Sequence, residues 1–209
     1  MIVLASNSPR RKQLMRLISP SFIIDPADIE ESHAENIPLD RMPEFLALQK
    51  AQQVQKKHPD DIVIGCDTGV FINNMMIGKP SSDKTAFEIL KMLSGKTHRV
   101  ITGCAIIKGD ITLRFSQTTE VEFYPLTEEE MEAYVATGEP GDKAGAYGIQ
   151  GKGALLVKEI RGDYYNVVGL PVALLSRKLR LLEDGCSFCM RKRFYSLEVR
   201  IMKKVLTVW

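Results

Sequence analysis

Three short stretches hold the residues best suited to chemistry. The first is Leu4-Ala5-Ser6-Asn7-Ser8-Pro9-Arg10-Arg11, where two hydroxyls, the free backbone N–H groups of a helix start and two guanidinium groups share one small volume. Unpaired amides and a helix dipole favour negative charge, and arginine grips phosphate oxygens in a fork. The same string also serves as an ordinary capped helix with two solvated arginines. The second stretch is Gly65-Cys66-Asp67-Thr68, which follows the apolar run Ile62-Val63-Ile64. A carboxylate at that place needs a metal, a base role or a hydrogen-bond partner, because burying it unpaired is costly. The third runs from Gly138 to Gly151, with four glycines in the eleven residues from Gly141. Such a backbone can approach a ligand closely and take positive φ. Lys143 adds charge there, and the Gln150 amide, both donor and acceptor, suits the edge of a base. The spacing lacks GxxxxGK[ST], so this is not a P-loop.

Other candidates depend on context. Lys50 lies among the buried positions of a helix, where a lysine either snorkels to solvent or points a compact charge into a site. Lys79, in the bend Gly78-Lys79-Pro80, is either a surface lysine or a second charge facing the same crevice. The loop carrying Asp28, Glu30, Glu31 and His33 is dense enough in carboxylates for a hard divalent cation, or acidic only because it is wet.

The elements that must position these residues follow from pattern. Ile2-Val3-Leu4-Ala5 and Ile62-Val63-Ile64 read as buried strands, the second a central one with Asp67 and Thr68 just past its end, where open α/β sheets place a ligand crevice. Ser8 as N-cap and Pro9 at the first helical position start a helix with Leu14, Leu17 and Ile18 on its apolar face. Ser21 to Ile24 is a short strand, and a helix begins near Pro43. Ser82-Asp83 caps a further helix stopped at Gly95. His98 to Ile107 and Ile111 to Phe115 form a hairpin about Lys108-Gly109-Asp110, with Thr118 to Tyr124 as another strand. Thr127 to Glu130 is a capping box. Ala154 to Ile160 reads as a strand, and Gly169-Leu170-Pro171 opens a leucine-rich helix.

Length and composition bound the rest. The 209 residues suit one domain or one domain with a cleft, and 44% hydrophobic with 26% charged residues is ordinary for a globular chain. A net charge of +2 is too small to imply a nucleic-acid coat. No apolar run reaches spanning length and no signal-peptide pattern opens the chain, so no membrane partner and a cytoplasmic location are expected. Four cysteines are too few for a disulfide framework, so reduced thiols are expected. Residues 182–209 form a basic tail with a lone Cys186-x-x-Cys189, half of a zinc site at best; nucleic-acid binding through it is a minor reading.

Taken together, these strings resemble the Maf family of nucleoside triphosphate pyrophosphatases. Besides the three stretches above, Gly78-Lys79-Pro80, Ser94-Gly95-Lys96-Thr97-His98 and Gly162-Asp163-Tyr164-Tyr165-Asn166-Val167-Val168-Gly169-Leu170-Pro171 fit in order, from residue 1 to about 181. The resemblance implies a Maf- and inosine-triphosphatase-like α/β fold, a mixed twisted sheet flanked by helices, with two lobes around a central cleft, and a homodimer. It implies hydrolysis of a nucleoside triphosphate to the monophosphate and pyrophosphate with Mg2+ or Mn2+. Asp67 matches the family's proton acceptor. Ser6, Arg10, Arg11, Lys50, Lys79 and Lys143 match phosphate-side contacts, and Glu31 a further acidic site residue. Glu31 and Asp67 together could share the metal with phosphate oxygens, and the sequence leaves open which carboxylate is base and which is ligand. Arg10, Thr68 and Gln150 match the specificity positions of the subgroup preferring dTTP and UTP. A contrasting function is a nucleotide-binding regulator of cell division that acts without turnover. Cys66, where alanine is commoner, and the tail depart from the family.

Overall fold

The computed structural model describes residues 1–29 and 37–182. Met1–Val172 form one compact unit, and residues 173–182, which are helical, belong to a second. The elements of the first unit are β1 (Ile2–Leu4), α1 (Pro9–Met15), β2 (Ile23–Ile24), α2 (Met42–Gln55), β3 (Ile62–Ile72), β4 (Met75–Ile77), α3 (Asp83–Leu93), β5 (Thr97–Lys108), β6 (Ile111–Phe123), α4 (Glu128–Val135), β7 (Val157–Arg161) and α5 (Tyr164–Val168). Glu31, His33, Cys186, Cys189 and the rest of the basic tail lie outside the described residues.

The strands make one mixed sheet in the order β2-β1-β3-β5-β6-β7, with β4 beside β3. β2, β1 and β3 run parallel; every other pairing is antiparallel. Among the described residues, two apolar cores lie at opposite ends of the long strands β3 and β5. One gathers Val3, Ala47, Ala51, Val54, Val63 and Ile107. The other gathers Val70, Ile72, Leu90, Leu93, Val100 and Phe123. These are the two lobes, and the middle of β3 passes between them. The α/β fold with a mixed sheet flanked by helices is therefore as expected.

Local chemistry explains most element boundaries. Ser8 Oγ accepts from Arg11 N and Pro9 opens α1, Ser82 Oγ accepts from Thr85 N at α3, and Thr127 with Glu130 closes a reciprocal capping box at α4. Three boundaries differ from the sequence reading. β3 does not stop before Asp67: an apolar run from Val70 to Ile72 and nine residue pairs with β5 carry the strand through it. Ile111 to Phe123 is one strand, since β5 is long enough to pair its whole length. Residues 151–156 coil as 3-10 turns before β7 starts at Val157. Leu17 lies past the end of α1 and is exposed.

Candidate active site

A gap in the sheet makes the cleft. On the edge of β3 away from β5, β1 pairs only as far as Ile64 and β4 begins at Val70. Residues 65–69 have no strand partner on that side among the described residues. Successive strand residues point to opposite faces, so Asp67 and Thr68 project on either side of this open edge and reach the same space. The resulting cleft holds about 780 Å³ and is lined by Ser6, Arg10, Arg11, Lys50, Asp67, Thr68, Lys79, Lys143 and Gln150, among others.

Helix α2 brings Lys50 to Asp67. It can do so because glycines leave room for its backbone: a Cβ on Gly65 would stand 2.1 Å from Ala47 O, and one on Gly103 would stand 2.2 Å from Glu44 N. Gly103 is directly opposite Asp67 in the β3–β5 register. With the helix this close, Lys50 Nζ donates to Asp67 Oδ1 at 2.6 Å. Asp67 is 9% exposed, and its Oδ2 accepts no hydrogen bond among the described residues, so it is left for water or a ligand.

On the other face of β3, Arg11 is held by three elements. Its Nε donates to Gly169 O at 2.8 Å, Nη1 to Ser6 Oγ at 3.4 Å and Nη2 to Thr68 Oγ1 at 2.9 Å. A guanidinium has five N–H groups, so each terminal nitrogen keeps one for an anion. Behind Thr68 lies a polar cluster that the sequence reading did not single out. Thr68 Oγ1 is 2.9 Å from Thr102 Oγ1, and Asn166 ties Thr102 to Val100 and Thr119. Thr102, Thr119 and Asn166 are fully or almost fully buried. No local signal marks them: threonine is a common strand former, and Asn166 meets Thr102 across 64 positions.

The glycine-rich segment supplies the facing wall. Gly145 takes φ +74° against Val70, where a side chain would collide with the valine methyls, and Gly145 N donates to Gly78 O. Tyr147 from the same segment is anchored by His98 Nε2 at 2.7 Å. Burial drives the His98 imidazole from its ordinary 6.5 to about 4, which keeps it neutral. Asp142 bridges two cations, receiving Arg10 Nη1 at 3.2 Å and Lys143 Nζ at 2.7 Å. Partial burial pushes its pKa upward, but Lys143 and Arg10 outweigh that and hold it below the usual carboxylate value. Lys79 and Gln150 are exposed on the cleft wall, with no hydrogen-bond partner among the described residues.

No cluster of three or more histidine, cysteine, aspartate or glutamate side chains able to hold a metal occurs among the described residues. Asp67, with one oxygen uncommitted beside a cationic cleft, fits instead the Mg2+ mode in which one or two carboxylates share the ion with substrate phosphates. Cys66 and Cys104 are buried free thiols, their sulfurs 3.7 Å apart.

A two-cored α/β sheet, opened at its central strand into a cleft with five cationic side chains around a half-committed carboxylate, defines a protein built to bind a polyanion. A family model described as Maf-like protein matches residues 1–182, and the chain belongs to the Maf family. A protein of Bacillus cytotoxicus named dTTP/UTP pyrophosphatase is 49% identical over 186 residues, covering 88% of this chain and 97% of its own length. One of Bacillus cereus strain AH187 with the same name is 52% identical over 180 residues, covering 86% and 94%. Among solved structures, a HAM1 protein from Coxiella burnetii aligns over 86% of this chain and 98% of its own, with a TM-score of 0.51 at 18% identity. That likeness concerns the fold alone.

Proposed function

We propose that this protein is a nucleoside triphosphate pyrophosphatase that hydrolyses dTTP and UTP, with water, to the monophosphate and pyrophosphate. The observation that carries the reading is the placement of Asp67. It faces Lys50 at 2.6 Å and shares one cleft with Arg10, Arg11, Lys79 and Lys143. The name dTTP/UTP pyrophosphatase, borne by relatives about half identical over nearly their whole length, supports the substrate choice.

Attack of water at the α-phosphorus needs a base, neutralisation of the leaving pyrophosphate and an in-line approach. Asp67 Oδ2 takes the proton from water, while Lys50 fixes the carboxylate through Oδ1. The two uncommitted N–H groups of Arg11 suit a bidentate grip on phosphate oxygens. Lys50, Lys79 and Lys143 add neutralising contacts, and the Ser6 hydroxyl adds a hydrogen-bond donor. Arg10, Thr68 and Gln150 take the specificity role. In the alternative role, Asp67 together with Glu31 would hold Mg2+ or Mn2+, which would supply further charge neutralisation. A homodimer in the cytoplasm completes the proposal, the dimer being tested by sedimentation. No helix among the described residues is long and apolar enough to cross a membrane.

The test is pyrophosphate release from a panel of triphosphates with Mg2+ or Mn2+, with Asp67→Asn and chelator as controls. Fastest release from dTTP and UTP, lost in the variant, supports the reading. A guanosine derivative as best substrate overturns the specificity, and tight nucleotide binding without release overturns the enzyme in favour of a regulator.

A further inference from the structure

The buried cluster behind Thr68 has hydrogen bonds whose directions are fixed by the backbone groups at its ends. Thr102 Oγ1 lies 2.9 Å from the Asn166 carbonyl oxygen, which can only accept, so the single hydroxyl hydrogen of Thr102 is committed there. Thr102 Oγ1, 2.9 Å from Thr68 Oγ1, must therefore accept from Thr68. The Thr68 hydrogen is thus committed in turn. Asn166 cannot relax this order. Its Oδ1 accepts from Thr102 N at 3.1 Å and its Nδ2 donates to Val100 O at 3.0 Å, and both partners are backbone groups of fixed role. The second Nδ2 hydrogen goes to Thr119 Oγ1, which also accepts from Asp163 N and donates to Asp163 O. Every hydrogen in the cluster is assigned.

At Thr68 a hydroxyl oxygen has one hydrogen and two acceptor sites. The hydrogen goes to Thr102, one acceptor site takes Arg11 Nη2 at 2.9 Å, and one acceptor site remains at the cleft. Thr68 can then bind only a ligand group that donates. Phosphate oxygens, carbonyls and the ring nitrogen N3 of cytosine are acceptors and find no partner there. The imide N3–H of uracil and thymine is a donor.

We propose that Thr102, held in place by Asn166, is a specificity-positioning residue: it locks the Thr68 hydroxyl as an acceptor that takes the imide N3–H of the uracil or thymine ring and rejects cytosine. The inference rests on the dTTP and UTP reading above and adds to it the origin of the base choice. A site built around a hydrogen bond to the substrate discriminates strongly against an analogue that leaves its buried polar group unpaired.

The experiment compares UTP, CTP and N3-methyluridine triphosphate on the wild-type chain, Thr102→Val and Thr102→Ser. Binding of the corresponding α,β-methylene analogues is followed by calorimetry in parallel. In the wild type, N3-methylation lowers kcat/KM and affinity at least about tenfold. In Thr102→Val the Thr68 hydroxyl is free to turn and donate, so the preference for UTP over CTP falls about tenfold or more. Thr102→Ser, which keeps the hydroxyl, retains the preference. Equal handling of UTP and its N3-methyl derivative by the wild type, or an unchanged UTP-to-CTP ratio in folded Thr102→Val, overturns the inference. Should the valine variant fail to fold, Thr102→Ala, which also removes the hydroxyl, is measured in its place, and an unchanged UTP-to-CTP ratio there overturns the inference as well. Absence of turnover on every triphosphate, with base selectivity still seen in the binding of the methylene analogues, overturns the proposed activity and leaves the inference standing.

Discussion

Lys50 Nζ donates to Asp67 Oδ1 at 2.6 Å with both side chains largely shielded from water, so one oxygen of the carboxylate is fixed while the other has no hydrogen-bond partner among the described residues. Removing the charge of Asp67 leaves the shape of the site and takes away the base. Asp67→Asn is expected to lower kcat by about 10²- to 10⁴-fold while the variant remains folded, as near-ultraviolet circular dichroism checks. A variant that turns over normally would remove Asp67 from the chemistry.

The reach of Lys50 depends on how closely α2 lies on the sheet at Gly65 and Gly103. A methyl at Gly103 would meet the Pro43 and Glu44 backbone at 2.2 to 2.4 Å, and backbone cannot turn aside as a side chain can. Gly103→Ala is expected to destabilise by about 3 kcal/mol and to lower turnover as well, because α2 must shift and carry Lys50 away from Asp67. Chemical denaturation checks the first effect, and steady-state kinetics at a temperature where the variant is folded checks the second. Stability equal to wild type would mean that the helix is not held by this contact.

Much of this arrangement is readable from local signals. Ser8-Pro9, Ser82 and the Thr127–Glu130 box are short-range chemistry, and they start helices where the sequence places them. The run Ile62-Val63-Ile64 reads as a central strand because both its faces are covered. The continuation of β3 through Asp67 was not readable. Gly65 and Gly69 look like breaks until α2 is seen to need the space at Gly65, and pairing with β5 is a long-range fact. The nine described candidates line one cleft. Thr102, Thr119 and Asn166 are not legible in the sequence because their meaning lies in hydrogen bonds between residues up to 66 positions apart. Lys50 against Asp67 was likewise undecidable before the helix was placed.

His98 gives the fold a pH dependence of definite sign. Burial lowers its pKa from 6.5 to about 4, so between these values the unfolded chain binds a proton that the folded chain refuses. Stability is then full above pH 6.5 and is lost as pH falls toward 4, by about 3 kcal/mol in all. Urea midpoints at pH 7, 6, 5 and 4.5 should show this decline, and His98→Gln should flatten it. A wild-type profile that is already flat across this window would mean that His98 charges in place.

Asp142 sits between Arg10 and Lys143 on the cleft wall and offsets part of their positive charge. It is well exposed, so its effect on the fold is small, and its effect on a polyanionic ligand is electrostatic. Asp142→Asn keeps the shape and removes one negative charge a few ångströms from the triphosphate contacts assigned to Lys143 and Arg10. The KM for a triphosphate should fall about two- to fivefold at low ionic strength, and the gain should shrink as added salt shortens the screening length to below about 10 Å. kcat should change little, because the change acts on ground and transition states alike. A fall in kcat with KM unchanged would assign Asp142 a different task, that of orienting Arg10 for the base.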